Sequence, residues 1–329
     1  MQKLIKTPIT IAIAIAIALV TILGLTSCAE KSDKVQVGCL YGPTSISLLQ
    51  LSGDENYELH PVAQTDAIVA DIASEKLDIA LIPSNLAANI YHKTNGGVKV
   101  IDVNTAGVLK FISQNTSIDT LKDKTLYTTG KGTVVQATLD ILLEANKMTE
   151  KDLNIQFKSE ASEVIAYINN DPEAIGLINE PQASVALSNF ENLHLIWDIN
   201  DLWKGIYGSD SDILTAVAIV RTNYLQENQT KVDKFIRDHK SSINFAKNKP
   251  DVAAGVFNKL FADSGIKATD FGILNSNLIF IEGSEMRQKL EVFLNKIYTY
   301  DNKLVGGQMP EEDFYYSTGQ NLNEEVDNG

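Results

Sequence analysis

The sequence predicts an α/β protein of two lobes with a cleft between them, and three observations carry that expectation. From residue 35 onward, short apolar runs of strand length alternate with segments whose apolar residues recur at helical spacing, the signature of strand–helix units around a parallel sheet. The run LDIALIPSNLAANI (77–90) has a counterpart in EAIGLINEPQASVAL (173–187). Each is a near-continuous apolar strand, a polar turn and a helix, so the chain states one design twice. After each copy comes an extended apolar segment, VNTAGVLKFIS (103–113) and LTAVAIV (214–220), and these two read as crossings between the lobes.

Taken in order, residues 35–40 alternate like a strand. Gly42, Pro43, Thr44 and Ser45 then open a helix expected to run through Leu51. Residues 57–62 form a strand, Thr65 and Asp66 are placed as the cap of a helix over 67–75, and 77–82 is a buried parallel strand. Pro83, Ser84 and Asn85 end that strand and start a helix over 86–92, followed by a strand at 99–103. The second lobe repeats the theme. A strand at 126–129 is followed by a helix from Thr133, with Thr133 or Thr129 as cap. A strand at 155–157 precedes a helix over 163–169 reached through Glu160. A strand at 174–178 ends at Asn179-Glu180-Pro181, then come a helix over 182–187 and a last strand over 193–197. Residues 224–300 are helix-patterned, with amphipathic runs at 232–246 and 250–261. The tail from Gly306 is polar and acidic, with Tyr315 and Tyr316 placed to pack back. The domain reading is a leader over 1–27, a tether over 28–34, one lobe from 35–105 plus 215–329, and a second lobe from 106–214.

Length and charge bound the function. The chain has 329 residues, enough for about two ordinary domains, and a formal net charge of −14. Without residues 1–27, which carry Lys3 and Lys6 and no acid, 26 basic residues face 42 acidic ones, a net of −16. Phosphate binding needs clustered Lys and Arg, so nucleic acid is excluded as a partner. Lys3 and Lys6 precede an apolar run over 9–25, and Leu25-Thr26-Ser27-Cys28 resembles a bacterial lipobox. That implies cleavage before Cys28, lipid on its sulfur, and a location on the extracytoplasmic face of the cell membrane. The competing reading is an uncleaved membrane span; the cysteine at the end of the run and the polar 29–34 tether favour the lipoprotein. Cys39 is the other cysteine and reads as a buried apolar residue.

The turn between Leu126 and Leu143, LYTTGKGTVVQATLDILL, leads from a strand into a helix N-terminus, where unpaired N–H groups favour an anion or a polar ligand edge. It is neither a phosphate-binding P-loop, since Gly132 follows Lys131, nor a dinucleotide fingerprint, since Val135 stands where the third glycine belongs. In parallel sheets ligands bind beyond the carboxyl ends of the strands, and three turns of the first lobe fall there: 41–45, 64–66 and 83–85. His60, His92, His194 and His239 have no metal-like spacing, so no metal or cofactor is expected. Trp197 reads as core. Trp203 and Tyr207 could stack on a flat ligand.

In the order lipobox, GPTS, LDIALIPSNLAANIY, VNTAGVLKFI, LKDKTLYTTGKGTVVQATLDILL, FKSEASEVIAYI, INEPQASVA and LTAVAIVRTNYL, the chain resembles solute-binding lipoproteins of ABC importers. The branch is the NitT/TauT type, related to nitrate, sulfonate, taurine and pyrimidine binders. The resemblance implies a type II periplasmic-binding-protein fold with the ligand between the lobes and an ABC permease as partner of a monomer. It also implies ligand-facing positions. On the first lobe these are Gly42, Pro43, Thr44, Ser45, Thr65, Asp66, Pro83, Ser84 and Asn85, with Gly107 at the crossing. On the second they are Thr128, Thr129, Gly130, Lys131, Gly132, Thr133, Glu160, Asn179 and Glu180. Asn85 and Asn179 are read as equivalent. Glu180 either meets a ligand amine or caps the following helix. Helix termini rich in Thr, Ser and Gly suit a sulfonate or other oxyanion, whereas Glu160 and Glu180 suit a pyrimidine or amine. Two other classes compete: a sensor that presents its closed form to a membrane receptor, and a pyrimidine-synthase-like enzyme. The enzyme is disfavoured because the chain has no cysteine cluster, carries an export signal, and offers no Ser-His-Asp candidate or nucleophile elbow.

Overall fold

A computed structural model of the protein describes residues 33–264 and 266–319. The segment expected to be a leader, Cys28 and the end of the tail lie outside the described residues. The chain enters β1 (Val35–Leu40), whose sequence VQVGCL is apolar except for Gln36 and is buried over Val35, Val37, Gly38 and Cys39. It continues through α1 (Pro43–Ser47), β2 (Tyr57–Val62), α2 (Thr65–Ala73), β3 (Ile79–Pro83), α3 (Ser84–Lys93) and β4 (Val98–Ala106). The second sheet holds β5 (Leu109–Ser113), β6 (Thr125–Thr128), β7 (Asn154–Phe157), β8 (Ile175–Asn179) and β9 (His194–Asp198). Between those strands run α4 (Val134–Ala145), α5 (Ala161–Asn170) and α6 (Gln182–Asn189), and α7 (Ile199–Tyr207) follows them. The chain returns through β10 (Leu214–Arg221), α8 (Thr222–Asn248), α9 (Pro250–Leu260), α10 (Asp270–Asn275), β11 (Leu278–Ile281) and α11 (Gly283–Tyr300).

The two sheets repeat one topology. The first has the order β11-β4-β10-β3-β1-β2 and the second β7-β6-β8-β5-β9. Read from the β2 and β7 edges, both run second, first, third, inserted strand, fourth. The inserted strand is β10 in one sheet and β5 in the other, and each is antiparallel to both neighbours. Each inserted strand is the one that has just arrived from the other lobe. This is the two-lobed α/β arrangement of type II periplasmic binding proteins, as the sequence leads one to expect. Both sheets belong to one compact unit beginning at Val35.

Several boundaries differ from expectation, each for a physical reason. The chain crosses at Gly107-Val108 and again over 208–213. The segment 214–220, read as a crossing, is therefore a strand of the first sheet; its unbroken β-branched and alanine run is buried between β3 and β4 and pairs with both. Helix α1 stops at Ser47, and a 3-10 turn (Leu51–Gly53) follows instead of further α-helix. Within the helix-patterned region lies β11, four residues (LIFI) paired with the edge of β4. So short a strand has no periodicity to separate it from a helix. Tyr315 and Tyr316 do pack back: Tyr316 N–H donates to the Val100 carbonyl at 2.9 Å, and its hydroxyl to Asp233 at 2.7 Å.

Candidate ligand cleft between the lobes

The carboxyl ends of the parallel strands from the two sheets face one another. The clearest sign is at Gly42, between β1 and α1: a Cβ there would lie 3.2 Å from the ring of Pro181 in the other lobe. Gly42 has φ +117°, open mainly to glycine, so both its backbone and its closeness to Pro181 demand a missing side chain. Beside this contact Ser84, Gly107, Asn179, Thr138, Thr215 and Phe293 line a central cavity of about 40 Å³. Of the positions carried over from the resemblance, Ser84, Gly107 and Asn179 thus share one cavity, and Gly42 meets the other lobe at Pro181.

Their hydroxyls are engaged internally. Thr44 Oγ1 donates to the Leu40 carbonyl at 2.7 Å, Ser45 Oγ to that of Gly42 at 3.0 Å, and Ser84 Oγ to that of Leu214 at 2.6 Å. Thr128 Oγ1 donates to the Leu177 carbonyl at 3.0 Å. Thr133 is the N-cap of α4, accepting from Val135 N–H at 3.2 Å. In the same turn Gly130 and Gly132 both have positive φ, and the side chain of Gln136 accepts from Gly132 N–H at 2.8 Å. The glycine turn therefore closes on its own helix.

Other expected positions sit elsewhere. Gln64, not Thr65 or Asp66, is the N-cap of α2, and Asp66 is exposed beyond the edge strand β2. Glu160 is exposed beyond the other edge strand, β7, at the start of α5. Lys131 is exposed over the Phe157 ring of its own lobe. Thr129 and Pro83 are half-buried and line neither the central cavity nor the flank cavity described below. Asn85 and Asn179 are not equivalent: β3 ends at Pro83 and β8 at Asn179, so Asn85 corresponds to Pro181. Its amide lies inside α3 and donates to the Leu304 carbonyl at 3.1 Å. Trp203 is fully buried against Tyr207 and Phe293, with its indole N–H on Ser211 at 2.9 Å.

Glu180 shows the capping role and something more. Its Oε2 accepts from Ser184 N–H at 3.1 Å, in the first turn of α6, while Oε1 has no partner although the residue is 4 % exposed. Burial pushes the carboxyl up to about 7, against the opposing pull of Ser184 and Lys110. Lys110, itself buried, is committed to an ion pair with Asp198.

The crossings are held by two asparagines. Asn277 donates to the Gly107 carbonyl at 2.6 Å; Asn200 donates to Asp212 at 3.0 Å and accepts from Ile213 N–H at 2.9 Å. Gly107 itself touches Asn200, whose Cβ would be 2.8 Å from an added Cβ. Sequence reasoning placed Gly107 at the crossing but missed Asn200, Asp212 and Asn277. It also missed a buried chain in which His239 Nδ1 lies 2.8 Å from Asp102 and Nε2 lies 2.9 Å from Ser47. The three residues come from α1, β4 and α8, each is 0 % exposed, and only their distance in sequence hid them. With no opening to the Ser47 hydroxyl, the chain ties α1 to the sheet and offers no route for a substrate. Among the described residues, no cluster of three or more potential metal ligands occurs, and no helix is long and apolar enough to cross a membrane.

No protein-family model matches the chain, and no curated protein matches it by sequence. Solved structures do. An ABC transporter protein from Parabacteroides distasonis superposes with a TM-score of 0.73 at 21% identity, covering 87% of this chain and 99% of that one. The periplasmic aliphatic sulphonate-binding protein SsuA from Escherichia coli gives 0.67 at 12% identity over 88% and 94%. The alkanesulfonate-binding SsuA from Xanthomonas axonopodis pv. citri, bound to MOPS, gives 0.58 at 11% over 86% and 96%. The chain is similar to these proteins along nearly its full described length, and it has the periplasmic-binding-protein fold.

Proposed function

We propose that the chain is the extracytoplasmic solute-binding component of an ABC importer, which captures a small organic solute between its lobes by hinge closure and delivers it to a permease. The observation that carries this reading is the cleft. Two sheets of matching topology point the carboxyl ends of their strands at each other, joined by two short crossings that Asn200 and Asn277 pin. Such a frame binds by closing around a ligand. The similarity to solute-binding proteins of known structure supports it. In this reading residues 1–27 are a leader, Cys28 carries the lipid, the protein acts as a monomer, and the solute lies between the lobes. The ligand class follows either the sulfonate precedent of the similar proteins or the carboxylate of Glu180. A thermal-shift panel of sulfonates, nitrate, pyrimidines, amines and aromatic acids tests the reading. A true solute at a hundredfold excess over its Kd stabilises the protein by about 2.7 kcal/mol. A panel without any stabilising member, paired with no solute uptake defect on gene deletion, would sink it.

A further inference from the structure

A second opening, larger than the central one, lies between the lobes on the flank where α6 approaches α9 and α10. Its volume is about 450 Å³, within the ~300–1,000 Å³ range of small-molecule sites. The first lobe contributes Ile46, Phe257, Ile266 and Lys267, and the second contributes Pro181 and Ser184. Most of this wall is apolar, and one polar group in it stands out. Ser184 is 2 % exposed, yet its hydroxyl makes no well-formed hydrogen bond and has only the Glu180 carboxyl group, which it draws down, within reach. Ser188, one turn on, donates to the Ser184 carbonyl and not to the Ser184 hydroxyl. One turn earlier, Glu180 Oε1 is also buried and unpartnered. Buried polar atoms without partners are uncommon in folded proteins, and here two fall within one helical turn, one of them on the wall of a ligand-sized cavity.

The charges around this turn select the ligand. Lys110 is held by Asp198, and of the chain's three arginines Arg221 is held by Asp78 and Arg287 by Glu312. None of the three lies in the second lobe. Lys267 is the charged residue of the lining and is exposed, whereas the buried Glu180 carboxyl group lies behind the wall, bonded to the Ser184 N–H. An oxyanion brought to Ser184 would lie close to that carboxyl group and be repelled by its ionised form, whereas a hydrogen-bond donor is favoured there.

We propose that this flank cavity holds the solute, and that it selects a neutral or cationic molecule whose apolar body packs on Ile46, Phe257 and Ile266 and whose N–H or O–H group reaches Ser184 Oγ, next to the buried Glu180 carboxyl group. The proposal rests on the reading that the lobes enclose a ligand, and it names the compartment and the chemical class.

Benzylamine, benzyl alcohol and benzenesulfonate share one ring and differ only in head group. Their binding to the full chain is measured by calorimetry at pH 8, alongside four variants. Ser188→Phe puts a ring into the cavity from an exposed helix position, Ser184→Ala removes the hydroxyl, Glu180→Gln removes the charge, and Thr215→Phe fills the central cavity instead. The expected result is binding of the amine and the alcohol with the sulfonate at least about tenfold weaker. Ser188→Phe abolishes binding, Ser184→Ala weakens it about fivefold, and Thr215→Phe leaves it unchanged, one lost hydrogen bond being worth about 1 kcal/mol. Glu180→Gln weakens the amine more than the alcohol. Binding lost through Thr215→Phe but kept in Ser188→Phe would overturn the flank assignment while leaving the transport reading intact. Equal or tighter binding of benzenesulfonate, or no binding of any of the three, would overturn the ligand class, and the transport reading would then stand or fall on its own solute panel.

Discussion

Glu180 is where one side chain ties stability to pH. Its carboxyl is pushed to about 7 in the folded protein, chiefly by burial, from an unfolded value near 4.5. The folded state therefore holds its proton over a range in which the unfolded state has lost it. Stability is fully present below about pH 4.5 and falls as pH rises through 7, by about 3 kcal/mol if the whole shift is realised. Glu180→Gln removes this group from the titration. Urea unfolding of the variant should be flatter than that of wild type between pH 5 and 8, and the variant should be at least as stable at pH 8. A wild-type profile already flat across that range would mean that the carboxylate finds a partner when ionised. This behaviour was only half legible in the sequence. The position after β8 marked Glu180 as either a cap or a ligand contact. Its burial depends on Val108, which accepts its N–H, and on Lys110 and Asp198, all far away in sequence.

At the scale of elements, the Ser47–His239–Asp102 chain joins α1, β4 and α8, so the turn at Gly42 that borders the cleft is fixed from behind. His239→Ala takes the partner from Asp102 Oδ2 in a fully buried site and leaves a void where the ring packed on Phe235 and Phe280. A cost of about 3 kcal/mol follows from the cavity and the unpaired carboxyl group together. Chemical denaturation measures it, and a loss below about 0.5 kcal/mol would show that the three residues do not act as a tie. The strands and helices themselves were largely legible, because β3 and β8 are apolar on both faces and turn sharply into helices at Pro83 and Pro181. What escaped was set by pairing and not by pattern. Strand β11 is recognisable only beside β4, and β10 reads equally well as a link until β3 and β4 claim it. Among the ligand candidates, those after the inner strands β1, β3 and β8 reached the interlobe region, whereas Thr65, Asp66 and Glu160 follow the edge strands β2 and β7. Sheet order, which a single sequence does not state, made that division.

The molecule as a whole is described with its lobes in contact. They meet at Gly42 and Pro181, at Gly272 and Ser184, and at α11 and α4, where the Tyr300 hydroxyl donates to Asp140. The central cavity of about 40 Å³ admits only a very few waters, so a solute bound between the strand ends requires the lobes to part about Gly107-Val108 and 208–213. Tyr300 is the contact to test, because it lies at the outer end of α11, is 42 % exposed, and reaches across to the other lobe with a single hydrogen bond. Burial raises the Asp140 carboxyl above its usual range, and within its own lobe Gln136 and Glu150 also lie beside it. Tyr300→Phe keeps the ring and removes the hydroxyl, so the closed arrangement loses about 1 kcal/mol and the open fraction rises about fivefold. The Tyr300 hydroxyl draws the Asp140 carboxyl group down against the larger push of burial, so the contact is made to the ionised carboxylate, and Asp140→Asn, which keeps an acceptor but loses the charge, should open the lobes part of the way that Tyr300→Phe does. Small-angle scattering of the unliganded protein reads both effects as the radius of gyration. If Tyr300→Phe and wild type scatter identically, the contact at the end of α11 carries no closure energy. The crossings held by Asn200 and Asn277 would then be the remaining control on how the lobes part.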